Sequence, residues 1–250
     1  MILQNRSEHS VSKQSNVDVS AQMPINISGG KLVFLLVVLT AILLLMHLAS
    51  YFVQPFVGLT VGQSLDSLFN LSRENNFPSY FSAFLLMMAA LLFYITHKTV
   101  KQQSSKWKLH WKLLSLIIAF LSIDEAVQLH ERLATIGGKI FAQPDISFLS
   151  FAWVIPYTIL FLIVGTYFLP FVLALNKRTR KLFIIAGVFY VGGALGFEFL
   201  EGNEVHRNGH TFTYWLMVTI EEVMEMTGVI ILIYSMLEYL KQLQSTIKIA

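Results

Sequence analysis

The stretch Leu113–Leu133, "LLSLIIAFLSIDEAVQLHERL", decides how the rest of the chain is read. Its first part is fit to sit in lipid. Asp124, Glu125, His130, Glu131 and Arg132 then follow, where a membrane helix starting near Trp111 should still be inside the bilayer. A charge facing lipid costs several kcal/mol, roughly 2.5–3.5 even on the lenient insertion scale. A chain carries such residues when they face one another, a wet cavity or a bound cation.

The surrounding composition agrees with a membrane setting. The chain has 250 residues, 55% hydrophobic and 13% charged, whereas soluble domains are about a quarter charged. It has no cysteine, which excludes disulfides and thiolate metal sites. No basic patch interleaved with aromatics points to nucleic acid as a partner. Residues 1–30 are polar, rich in Ser, Asn and Gln, and without period; they read as a disordered cytoplasmic tail and not as a signal peptide. A transmembrane domain is expected over 31–240, with a short cytoplasmic tail over 241–250.

A bilayer crossing needs about 20 apolar residues. Six runs meet that length, near 31–53, 79–97, 111–135, 148–175, 182–203 and 212–238. The expected fold is an all-α integral membrane bundle of about six transmembrane helices. Between the first two runs, "QSLDSLFNLSREN" places Leu65, Leu68 and Phe69 on one helical face, as a short interfacial helix does. The positive-inside rule gives the orientation. Lys98, Lys101, Lys106, Lys108 and Lys112 crowd one linker, and Lys177, Arg178, Arg180 and Lys181 another. Both linkers fall on one side of a six-span chain. That side and both termini are expected in the cytoplasm, and the expected location is the cell (inner) membrane.

Depth follows from the helical rise of 1.5 Å per residue. Asp124 and Glu125 lie roughly 20 Å in from the cytoplasmic end, and His130 and Glu131 near 29 Å. On the fifth run Glu198 lies roughly 24 Å in, with Glu201 and Glu204 at the outer end. The sixth runs back, with Glu221, Glu222 and Glu225 roughly 13–20 Å below the outer surface. Three helices thus carry acids at overlapping depths. Residues three or four apart share a face, so Asp124 and Gln128, Glu198 and Glu201, and Glu222 and Glu225 form polar pairs. Gly192 and Gly196 form a G-x-x-x-G pair of the kind that permits close helix approach.

Packed carboxylates repel unless protons or a cation neutralise them. Facing helices with clustered carboxylates and a histidine or two are how bundles hold paired iron or manganese. Glu125, His130, Glu131, Glu198, Glu201, Glu222 and Glu225 are the candidate ligands of a divalent or di-metal site. Oxygen-rich ligation favours iron or manganese, with zinc fitting if histidines dominate. Asp124 and Glu221 are candidates for a general base or an outer-shell role. The bland alternatives remain open. Glu131, Glu201 and Glu204 suit a helix rim, His47 suits a packed core, and His206 and His210 suit a solvated loop. His130 points away from Asp124 on an ideal helix.

"DEAVQLHE", "FEFLE" and "EEVMEM" together resemble uncharacterised bacterial multipass membrane proteins that have a D-E…H-E segment and a later E-E-x-x-E-M segment. The resemblance covers the third, fifth and sixth runs and implies that their acids are a family feature. It carries no activity with it.

Two function classes fit. One is a metal-dependent membrane enzyme, its site facing the extracytoplasmic side, acting on a lipid-like or quinone-like substrate. Trp153, Tyr157 and Trp215 then stand near its entrance. The other is a cation or proton transporter using intramembrane glutamates. The inner halves of these runs, "LLSLIIAF" and "GVIILIYSM", offer no matching polar path, which favours a fixed site. The lipid bilayer is the one partner expected in either case; the oligomeric state is not legible.

Overall fold

The computed structural model describes residues 29–54, 56–102, 105–129, 132 and 154–247. The described residues are about 89% helix, with no strand among them. The helices are α1 (Gly29–Val53), α2 (Leu59–Phe69), α3 (Phe77–Gln102), α4 (Lys108–Val127), α5 (Val154–Ala174), α6 (Lys177–Val191), α7 (Glu198–Asn208) and α8 (Phe212–Ile247). A π-helical segment, Gly192–Phe197, joins α6 to α7 without a break.

Among the described residues four helices are long and apolar enough to cross a membrane: α1, α3, the Tyr157–Ala174 part of α5, and the continuous Lys177–Asn208 helix. Their outer faces carry large apolar side chains in the open, such as Phe34 and Leu45 on α1 and Leu162 and Ile163 on α5. A continuous apolar surface of this extent belongs against lipid rather than water. α4 and α8 carry the acids and pack into the bundle. α2 lies across one end with Leu59, Val61 and Leu68 exposed, as an interfacial helix would.

α8 is the central helix. It packs against α1, α3, α6, the π segment and α7, and buries Met226, Val229, Ile230, Ile233 and Met236. α3 meets α4 through small residues, with Ala83, Ala89 and Ala90 all buried. Small side chains let two backbones approach closely enough for hydroxyls to bridge them. Ser115 Oγ donates to Ala90 O at 2.9 Å, and Ser122 Oγ donates to Ala83 O at 2.7 Å. The second bond fixes α4 two residues before its first acid.

One end of the bundle gathers the basic linkers. His97 Nδ1 lies 2.7 Å from Lys108 O, Arg178 pairs with Glu238 at 3.2 Å, and Asn176 Nδ2 donates to Gln242 Oε1 at 3.0 Å. Asn176 also caps α6 by accepting from Thr179 N–H at 2.9 Å. Trp111 stacks on Tyr239 at 5.0 Å. The start of α1 is at this end too, where Gly29 faces Leu237.

Two local expectations change. α4 is interrupted after Val127, because Gln128 adopts a left-handed conformation (φ 57°, ψ 46°) and its N–H bonds to Asp124 O at 2.7 Å; Leu129 and Arg132 are again helical, and the rest of the expected run to 135 lies outside the described residues. Such a residue ends a helix as a glycine usually does, so Gln128 marks a break and is not a third polar residue on the Asp124 face. The second concerns the G-x-x-x-G pair. A π turn closes i→i+5, so residues four apart within it no longer share a face. A Cβ on Gly196 would meet nothing within 4 Å. Of the pair only Gly192 is tight, its Cβ 3.2 Å from Met224 Cε; the closest backbone approaches are at Gly193, whose Cβ would lie 2.9 Å from Glu221 O, and at Gly228, 2.7 Å from Tyr190 N.

Candidate functional site

The acids of α4, α7 and α8 meet at the end of the bundle opposite the basic linkers. They line a cavity of about 810 Å³. Asp124 and Glu125 come from the last turn of α4, Glu198 and Glu201 from the first turn of α7, and Glu221, Glu222 and Glu225 from α8. Asp124, Glu201 and Glu221 are buried. Glu125, Glu198, Glu222 and Glu225 are half-buried, because their side chains border the cavity itself. The charge of Glu125 reaches both Glu222 and Glu225, so the α4 and α8 acids share one field.

Three carboxylates converge most closely. Glu198, Glu201 and Glu221 each offer an oxygen, and these three atoms lie within 4.8 Å of one another. Glu201 and Glu221, both buried, lie close enough for their carboxyls to interact directly. Two carboxylates in contact share a proton or a cation, since neither can donate when both are ionised. Glu201 is only 3% exposed, and its Oε1 is buried with no hydrogen-bond partner among the described residues. A buried acceptor left in that state costs about 1–3 kcal/mol.

The π segment sets this convergence. Its extra residue per turn rotates α7 relative to α6, and Gly193 lets α8 come close enough that Glu221 and Glu225 lie beside Glu198 and Glu201. Tyr190, whose hydroxyl sits in the same electrostatic field, lines the wall with Tyr157 and Tyr214.

Glu74 is an eighth acid in the cavity, with its charge felt at Glu222 and Glu225. It lies in the loop between α2 and α3, in a polar stretch with no helical period to mark it. The loop is folded by its own bonds. Asn76 Nδ2 donates to Asn70 O and Arg73 O at 2.7 and 2.8 Å, Arg73 pairs with Asp66 at 2.7 Å, and Leu71 N–H donates to His47 Nδ1 at 3.1 Å.

His47, His206 and His210 do not join the acids. His47 is fully buried and satisfied. Its Nδ1 accepts from Leu71 N–H, so Nε2 carries the proton and donates to Thr219 Oγ1 at 2.9 Å. Thr219 Oγ1 in turn donates to Trp215 O at 2.8 Å, and the His47 ring stacks on Trp215 at 4.8 Å. His206 and His210 are exposed outside the cavity, and His210 sits edge-on to Tyr214. Trp215 packs with His47 and Tyr51 and does not line the cavity. Glu204 also stays out: it accepts from Thr211 Oγ1 at 2.6 Å and Asn208 Nδ2 at 2.9 Å, tying α7 to the start of α8. His130, Glu131 and Trp153 lie outside the described residues.

Fold and site together define an all-helical, membrane-type bundle with an acid-lined cavity near one end. The chain belongs to the DUF8692 family, a domain of unknown function, whose model matches residues 32–240. No curated protein and no solved structure matches it.

Proposed function

We propose that this protein crosses the cell membrane six times with both termini in the cytoplasm, and that its acid cavity is a metal centre in the outer half of the bilayer. Support for the orientation comes from charge. The end with Lys98, Lys101, Lys108, Lys177, Arg178, Arg180 and Lys181 is strongly basic, and positive linkers stay inside. The acids then face the extracytoplasmic side. α4 and α8 are the two further spans; their acids point into the cavity and spare lipid the charge.

The observation that carries the metal reading is the triad of Glu198, Glu201 and Glu221, with oxygens within 4.8 Å and a buried, unsatisfied Glu201 Oε1. These are hard oxygen donors. They suit iron or manganese, and no histidine among the described residues lines the cavity to favour zinc. Glu198, Glu201 and Glu221 are the first ligands. Glu125, Glu222 and Glu225 complete the shell or hold a second ion, and Asp124 is the base. Glu221 thus moves from the role of base to that of ligand. A bound ion would supply Lewis-acid or redox chemistry toward a lipid-like or quinone-like substrate. The bundle beneath the cavity is filled by Ile118, Met226, Val229, Ile230 and Ile233. A dry apolar floor favours a fixed site over a transport path.

Elemental analysis of the full chain in mild detergent tests this. Wild type is expected to carry at least one iron or manganese per chain, and Glu201→Gln and Glu221→Gln are expected to lose it while remaining folded by circular dichroism. A folded, metal-free wild type would overturn the metal centre.

A further inference from the structure

α4 and α5 are packed at one end and splayed at the other. At the basic end His110 stacks on Tyr167 at 5.2 Å and on Phe171 at 5.4 Å, and Trp111 meets Phe171 edge-on at 4.8 Å. Toward the acids the two helices part, and the cavity lies between them. Its walls there are apolar: Leu116 and Phe120 on α4, Leu160 and Phe161 on α5. These same four side chains are 41–56% exposed, and the cavity they line is not enclosed. In a bundle set in lipid, the gap between the helices is a side opening from the hydrocarbon layer to the carboxylates.

We infer that the cavity takes an amphiphile from the bilayer through this opening, its single apolar chain lying between α4 and α5 and its cationic head among the carboxylates. The inference rests on the reading of the cavity as the functional site and names its substrate class. The size fits, since pockets for molecules of this kind run about 300–1,000 Å³ and this one is about 810 Å³. Charge decides the head. Among the described residues eight carboxylates line the cavity and no lysine or arginine does. A divalent ion cancels two of those formal charges. A phosphate or sulfate head would meet an unbalanced negative field, whereas an ammonium head is attracted. Tyr157, Tyr190 and Tyr214 add aromatic faces that suit a cation.

The probe is hexadecylamine carrying a photoactivatable diazirine in its chain, added to the full-length protein in phosphatidylcholine nanodiscs. Irradiation is expected to label peptides of α4 around Leu116–Phe120 and of α5 around Leu160–Val164. Excess unlabelled hexadecylamine should remove that labelling, and hexadecyl sulfate should not. Leu116→Trp and Leu160→Trp, both at lipid-exposed positions that tolerate bulk, each fill the opening and are expected to cut specific labelling about tenfold, a loss of about 1.4 kcal/mol. Metal content is measured on the same samples and should not change. Equal competition by the sulfate overturns the cationic head. Labelling indifferent to both tryptophans overturns the route. Specific, competable labelling of a metal-free wild type would leave this inference standing while the metal centre fell.

Discussion

Glu201 and His47 show two ways a polar side chain survives inside an apolar bundle. His47 has every polar atom answered: a backbone N–H on one ring nitrogen, a threonine hydroxyl on the other, and an indole against its face. It fastens α1 to α8 and to the loop that carries Glu74. Its replacement by alanine leaves Leu71 N–H and Thr219 Oγ1 short of a partner and removes the stack. We expect His47→Ala to lower stability by about 3 kcal/mol, read as a drop in melting temperature in detergent, with metal content falling far less than in Glu201→Gln. An equal loss of metal in both would make His47 part of the site. Glu201 is the opposite case, a buried carboxylate with one oxygen unanswered among the described residues. A lone histidine on an apolar helix looks the same in sequence whether it ligates or packs; the partners that settle the matter come from residues 24 and 172 positions away.

The continuous helix from Lys177 to Asn208 is where an element decides the site. An unbroken α-helix would keep Gly192 and Gly196 on one face and aim Glu198 differently. The π segment moves the close approach to Gly193, where a Cβ would lie 2.9 Å from both Glu221 O and Glu225 Cγ. Gly193→Ala is therefore expected to push α8 away, costing about 1–3 kcal/mol as overpacking does, and to lower metal occupancy. Gly196→Ala meets open space and should be neutral or stabilising by up to about 1 kcal/mol, with metal retained. Thermal melts and metal analysis on the pair check this, and the reverse ranking would restore the G-x-x-x-G reading. The acids on these elements were legible from depth and spacing. The π register was not, since it follows from how α6 and α8 fit together at Gly193 and Gly228.

At the scale of the whole molecule, the antiparallel bundle sorts its charges by end. Basic linkers crowd one end, and the acids and α2 occupy the other. The chain has no cysteine, so single cysteines report their side cleanly. With a membrane-impermeant maleimide on intact cells, Ser64→Cys in α2 is expected to label and Thr99→Cys near the end of α3 to stay unlabelled until the cells are opened. The opposite pattern would invert the orientation and put the acid cavity on the cytoplasmic side.

What the sequence determined by itself was the kind of molecule and the acids it would bring together. Long apolar runs leave helices as the open choice, because a backbone in lipid must satisfy its own hydrogen bonds. Acids within such runs must turn inward, because lipid cannot solvate them. Those constraints are local and can be read residue by residue. The tertiary structure alone decided the rest: that Glu198, Glu201 and Glu221 form the tightest group, that Glu74 reaches the cavity from a loop, that His47 is a fastener, and that α4 and α5 part toward the acids. Each depends on which helix faces meet and how closely, and that is set by packing between residues far apart in the chain.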